Sequence, residues 1–178
     1  MHTPKSKRIV LGVCGSIATY KAADLVRRLQ EHDCDVHVIM TREAEQFITP
    51  LTLAALSGRQ VYSDMFEDKS GSMAHIELVR QADAVVIAPA TANIIGKLAC
   101  GLADDVLSAF AMTTRAPVFI APAMNEGMYT NEIVRENCAK LKKHGFKFIE
   151  PVKGKLACGV VGVGHLADIE DIVKAVLS

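Results

Sequence analysis

Neither sign of charge is in excess: 20 basic and 20 acidic side chains cancel. Nothing therefore draws the chain as a whole toward nucleic acid or an anionic membrane, although a local patch is still allowed. No stretch approaches the roughly 20 apolar residues that a membrane-spanning helix needs. The five cysteines, Cys14, Cys34, Cys100, Cys138 and Cys158, are odd in number and contain no CxxC pair. That argues against a zinc ribbon or a disulfide framework and for the free thiols of a cytoplasmic protein. The histidines lack metal-ligand spacing and no HExxH is present. Asp104 and Asp105 are adjacent, and neighbours on a helix point in different directions, so no metal is expected.

Basic residues Lys5, Lys7 and Arg8 precede the apolar run from Ile9 to Cys14, an arrangement that superficially resembles a signal peptide. The run is short and passes straight into a Gly-Ser turn and an amphipathic helix, so it reads as a buried first strand. With 178 residues the chain suits one domain and one site. Short β-branched runs fall at 8–14, 35–41, 84–90 and 116–122, with a weaker fifth at 147–152. Helical patterns separate them: a first helix with Ala18, Ala22, Leu25, Val26 and Leu29 on one face, then 48–57, 72–82, 92–112 with a break at Gly101, 131–144, and 168–177 behind Asp168. Near-continuously apolar strands alternating with helices call for a parallel sheet covered on both faces. The expected fold is α/β, a three-layer doubly wound parallel sheet of the Rossmann-like or flavodoxin-like kind. Residues 1–7 and a Gly-rich stretch at 153–165 are expected to be loose.

Ligands of such sheets collect at the carboxyl ends of the strands. After the first strand, Gly15 and Ser16 open a helix whose N–H groups suit a phosphate. This is not GxGxxG, and the second strand ends in Met40-Thr41 without the acid that would hold the ribose of NAD. A mononucleotide is favoured over a dinucleotide. The third long strand runs into Pro89-Ala90-Thr91-Ala92-Asn93, a second helix start able to meet a phosphate or a flat ring. Each turn taken alone also fits an ordinary βα connection capped by Ser, Thr or Asn.

Three further segments join these turns: Met73-Ala74-His75-Ile76-Glu77-Leu78, Pro122-Ala123-Met124-Asn125-Glu126-Gly127-Met128, and Leu156-Ala157-Cys158-Gly159 followed by Gly162 and Gly164. In order and spacing the set resembles the homo-oligomeric flavin-containing cysteine decarboxylases of the phosphopantothenoylcysteine decarboxylase type, from about Arg8 to the last helix. The resemblance implies FMN as cofactor, with contacts at Gly15, Ser16, Ile17, Thr41, Ala90, Thr91, Ala92, Asn93 and Met124, and a weaker one at Ser108. It implies His75 as the catalytic histidine, Asn125 as the binder of the substrate carboxylate, Cys158 as the proton donor, and Ala157 beside it against the substrate. It also implies a homo-oligomer, a trimer or a dodecamer of trimers, acting on 4′-phosphopantothenoylcysteine in coenzyme A biosynthesis. Relatives carry Arg where this chain has His165, which bears on how the substrate is held. The synthetase half that follows in bifunctional relatives is not within these residues, which fits a monofunctional protein or a piece of a longer one.

The chemistry asks for such a site. Loss of CO₂ from a cysteine carboxylate leaves an unstabilised carbanion, so an electron sink is required, and the resemblance implies that oxidised flavin provides one by taking a hydride equivalent from the thiol and its β-carbon. A thiol on a Gly-rich loop suits the later proton delivery, although free cysteine is often a small buried residue. His75 on its own also fits a surface or capping histidine, and Asn125 a turn residue. Alternative readings are a peptidyl-cysteine decarboxylase of lantibiotic maturation, a flavin prenyltransferase, and a non-catalytic flavin-binding regulatory subunit.

Overall fold

The computed structural model describes residues 6–64, 80–155 and 161–178. Six strands form one parallel sheet: β1 (Arg8–Val13), β2 (Asp35–Met40), β3 (Val61–Tyr62), β4 (Ala84–Ala90), β5 (Val118–Pro122) and β6 (Lys147–Phe148), in the order β3-β2-β1-β4-β5-β6. Its centre is apolar on both faces because β1 and β4, apart from Arg8, Gly12 and Pro89, consist of Ile, Val, Leu and Ala, and alternate side chains point to opposite sides. Ile9, Leu11 and Val13 meet α1 (Lys21–Glu31), α2 (Pro50–Ser57) and α7 (Ile169–Leu177) through Leu25, Leu29, Leu53, Ile172 and Val176. Val10, Ile39, Val85 and Ile87 meet α3 (Ala92–Cys100), α4 (Val106–Thr113) and α6 (Glu132–Lys143) through Ile94, Leu98, Leu107, Phe110 and Leu141. Each such fully buried side chain contributes about 1.5–3 kcal/mol. Gly12 is where α4 presses closest: a Cβ there would lie 2.5 Å from Leu107.

The helix ends follow the sequence signals. Thr49 caps α2 with Pro50 at the first position, and Thr91 caps α3. Gly101 ends α3 with φ +72°, at the break expected within 92–112, so that pattern forms α3 and α4. The expected first helix is also divided. Residues Ile17–Tyr20 form a 3₁₀ turn, and α1 proper starts at Lys21. The pattern at 72–82 lies almost wholly outside the described residues.

Of the two stretches expected to be loose, residues 1–5 and 156–160 lie outside the described residues, and the described parts are held in place. Lys7 is tied down, its Nζ donating to the Val176 carbonyl at 3.0 Å and its own carbonyl accepting from Asp35 N–H at 2.9 Å. The Gly-rich stretch contains an antiparallel hairpin, β7 (Val152–Lys155) with β8 (Val161–His165). Glycine composition suggested a loop, but these glycines admit close neighbours. A Cβ on Gly164, whose φ is +139°, would lie 2.2 Å from the Met124 carbonyl oxygen. A short helix after β5, α5 (Glu126–Tyr129), was also not anticipated.

Candidate functional site

The strand order reverses between β1 and β4, so the turns leaving these two strands diverge and open a crevice at the carboxyl edge of the sheet. There lies a cleft of about 680 Å³, within the usual range for cofactor sites. Gly15, Ser16 and Ile17 after β1 form one wall, Thr91, Ala92 and Asn93 after β4 another, and Thr41 after β2 a third. Met124 and Asn125, after β5, close the side toward the hairpin.

The β1 turn is held by its own side chains. Ser16 is extended, at φ −142° and ψ 156°. Its N–H donates to Thr19 Oγ1 at 3.0 Å, and its Oγ accepts from Ala18 N–H at 3.3 Å. Buried Thr19 in turn donates to the Cys14 carbonyl at 2.7 Å. This capping box uses the Ser16 and Ala18 amides, leaving those of Gly15 and Ile17 as the N–H groups not used within the turn. Gly15 is obligatory here: a Cβ would sit 2.6 Å from Glu43 Cβ and 2.8 Å from its carbonyl carbon.

On the β4 side, Thr91 Oγ1 accepts from Ile94 N–H at 3.4 Å as the cap of α3. Beneath it the Cys14 thiol is 1% exposed, and burial pushes its pKa up to about 12 with Thr91 pulling weakly the other way. That thiol is no nucleophile at neutral pH. Asn125 caps α5, its Oδ1 accepting from Gly127 N–H at 2.8 Å.

Two residues anticipated as flavin contacts are not on the cleft wall. Ala90 is fully buried within β4, its carbonyl accepting from Ala123 N–H at 3.0 Å. Ser108, also fully buried, completes the capping box of α4: its Oγ accepts from Asp105 N–H at 3.2 Å while Asp105 Oδ1 accepts from Ser108 N–H at 2.8 Å. The Asp-x-x-Ser spacing was the available signal for that structural role. His75, Ala157 and Cys158 lie outside the described residues.

Other wall residues were not singled out as contacts: Tyr20, Lys21, Glu43, Phe47, Asp105, Met128 and His165. Burial opposes ionisation of Asp105, but Lys97 at 2.6 Å and the Ser108 amide outweigh it and hold the carboxyl below its ordinary range. The Lys21 side chain, by contrast, makes no hydrogen bond or ion pair among the described residues, so its ammonium is available to an anionic ligand. His165 Nδ1 lies 3.1 Å from the Leu166 carbonyl. A carbonyl only accepts, which assigns the proton to Nδ1 and leaves Nε2 as the acceptor in the neutral ring. Four wall residues leave large apolar surface exposed at the mouth: Ile17 (61%), Tyr20 (63%), Phe47 (49%) and Met128 (48%). Among the described residues no cluster of His, Cys, Asp and Glu is arranged to hold a metal, and no helix is long and apolar enough to cross a membrane.

Comparison with known proteins adds to this geometry. The Flavoprotein family model matches residues 1–178. A probable phosphopantothenoylcysteine decarboxylase of Streptococcus mutans is 48% identical over 174 residues, covering 96% of this chain and 97% of that protein. The coenzyme A biosynthesis bifunctional protein CoaBC of Bacillus subtilis is 47% identical over 170 residues, which is 95% of this chain and 42% of the longer protein. The chain thus spans less than half the length of the bifunctional relatives. Among solved structures, a PPC decarboxylase variant complexed with pantothenoylaminoethenethiol superposes with a TM-score of 0.89 at 33% identity, covering 97% of both chains. The FMN-dependent cysteine decarboxylase SpaF superposes at 0.84 and 32% identity, covering 96% of this chain and 95% of the other.

Proposed function

The chain belongs to the flavoprotein family, and from that premise we propose that it is an FMN-dependent decarboxylase converting 4′-phosphopantothenoylcysteine to 4′-phosphopantetheine. The observation that carries this reading is the convergence of three separate turns, Gly15–Ile17, Thr91–Asn93 and Met124–Asn125, on one cleft at the point where strand order reverses. The likeness to the Streptococcus mutans protein along nearly the full length of both chains supports the choice of substrate.

The residues fit a flavin mononucleotide. The Gly15 and Ile17 amides and the absent Cβ of Gly15 give a cradle for the phosphate, the Thr41 and Thr91 hydroxyls and the Asn93 amide supply hydrogen bonds, and Met124 with Ile17 supplies apolar surface. Bound FMN supplies the electron sink, accepting and later returning two electrons. Asn125 would take the substrate carboxylate by donating from its side-chain amide, without a positive charge that would hold the ground state too firmly. Lys21, free at the mouth, suits the anionic phosphate end of the substrate. The roles of His75 as the catalytic histidine, of Cys158 as the proton donor and of Ala157 as a substrate contact rest on the resemblance of their motifs.

The exposed Ile17, Tyr20, Phe47 and Met128 beside the cleft support burial of this rim in a homo-oligomer, as a trimer or a dodecamer of trimers. A cytoplasmic setting accords with free thiols and this metabolic role. The similarity to the FMN-dependent cysteine decarboxylase SpaF keeps, as a second reading, the same chemistry on a different cysteine substrate, a peptide ending in cysteine. The test is CO₂ release from protein reconstituted with FMN. Release from 4′-phosphopantothenoylcysteine and not from a cysteine-ended peptide is expected. The opposite preference would replace the first reading by the second, and no release from either would remove both.

A further inference from the structure

We infer that Glu126 is a positioning residue: its carboxylate clamps the β7–β8 hairpin to the Met124–Asn125 turn and so fixes one side of the cleft. A two-stranded hairpin is marginal by itself, and the outer edge of β8 needs partners for its backbone groups. It finds them on the chain entering α5. Met124 N–H donates to the Gly164 carbonyl at 3.0 Å, and Val163 N–H donates to Glu126 Oε1 at 3.3 Å. The contact is tight. A Cβ on Gly162 would lie 2.4 Å from both Cδ and Oε2 of Glu126, and one on Gly164 2.2 Å from the Met124 carbonyl oxygen. Alternate glycines of β8 thus present a side-chain-free face on which the Glu126 carboxylate and the Met124 carbonyl rest.

Asn125 lies between these two attachment points, and His165, the last residue of β8, and Leu166 after it lie on the cleft wall. Releasing Glu126 therefore loosens both the carboxamide and the wall facing it, while the β1 and β4 turns that would hold a cofactor are untouched. The partner of Glu126 is a backbone amide, so the requirement is for an acceptor and not for a charge. Glutamine retains an acceptor at Oε1, and alanine does not.

The consequence for turnover rests on the function proposed above, whereas the clamp can be read without it. In Glu126→Ala, hydrogen exchange of the Val163 amide should accelerate by about five- to tenfold, the loss of one hydrogen bond. FMN affinity should stay within about twofold of wild type, and KM for 4′-phosphopantothenoylcysteine should rise by about tenfold with kcat changed far less. Glu126→Gln should restore exchange and KM. Gly162→Ala should reproduce the defect, because its Cβ displaces the carboxylate from the Val163 amide, and adding Glu126→Ala to it should make exchange and KM little worse, since both changes remove the same hydrogen bond. Unchanged exchange in Glu126→Ala, failure of Gln to rescue, or a double variant whose defect is the full sum of the two single ones would each overturn the inference. An inactive wild-type protein would instead sink the proposed substrate and leave the exchange experiment to decide on Glu126.

Discussion

Substituting Gly15 by alanine tests whether the turns after β1 and β2 act as one cradle. The added Cβ would stand 2.6 Å from Glu43 Cβ, 2.8 Å from its carbonyl carbon and 2.9 Å from its carbonyl oxygen. Because two of these atoms belong to the backbone, no rotamer change relieves the clash, and the loop after β2 must retreat by about 1 Å to reach ordinary contact. Overpacking of this kind costs about 1–3 kcal/mol. Glu43 is exposed, but Thr41 and Ala44 on either side of it are buried, so the retreat carries Thr41 away from the cleft wall and the cost falls mostly on a ligand that needs that wall. At 1.4 kcal/mol per factor of ten, FMN affinity should fall by roughly 5- to 150-fold, with a smaller loss in urea stability. Quenching of flavin fluorescence on titration with apoprotein measures the first, and urea unfolding the second. Gly58→Ala is the control: its φ is +67° with no atom within 4 Å of the new Cβ, so it should cost about 1 kcal/mol in stability and leave FMN affinity alone. An unchanged dissociation constant in Gly15→Ala would refute the shared cradle.

Three further outcomes follow from individual side chains. Cys14, buried and with its pKa pushed up to about 12, should resist alkylation at pH 8 until the protein unfolds, while exposed Cys100 is labelled rapidly; mapping the modified peptides distinguishes them, and early modification of Cys14 would contradict its burial. Ser108→Ala should cost about 0.5–1.5 kcal/mol in urea unfolding through loss of the α4 capping box yet leave FMN affinity within about twofold, and a large loss of affinity would reinstate Ser108 as a cofactor contact. Asp105 has a carboxyl held below its unfolded value of 3.8, so its contribution is fully present above that pH and is lost as pH falls through the depressed folded value. Wild type should therefore exceed Asp105→Asn in stability at pH 6, with the gap shrinking below about pH 4; a gap that widens in acid would reverse the assignment.

The strands that build the sheet centre were legible because β1, β2, β4 and β5 are buried on both faces and their apolar runs announce it. Their ends fell within a residue or two of those observed. β3, only Val61–Tyr62, is too short for any periodicity. The hairpin was hidden because Gly154, Gly162 and Gly164 interrupt its strands, a composition that reads as a loop until Met124 and Glu126 are seen lying against Gly164 and Gly162. Within the site, each turn carried its own local signal, the small and hydroxylated residues that follow a strand. Lys21, Glu43 and Phe47 carried none, since they reach the cleft through the convergence of the β1 and β2 loops, which depends on the strand order. Ser108 shows the converse. Its local capping pattern was present, and that pattern commits its hydroxyl to Asp105.

The account depends above all on FMN occupying the cleft between the β1 and β4 turns. Titrating FMN into isotope-labelled apoprotein and following backbone amide resonances tests this directly. The expected result is that the largest shifts fall on Gly15, Ser16, Ile17, Thr41, Thr91, Ala92 and Asn93. A second groove of about 660 Å³ lies at the opposite ends of α3, α4 and α6, lined by Arg115, Lys140 and His144. Shifts concentrated there, with the β1 and β4 turns unmoved, would contradict the account.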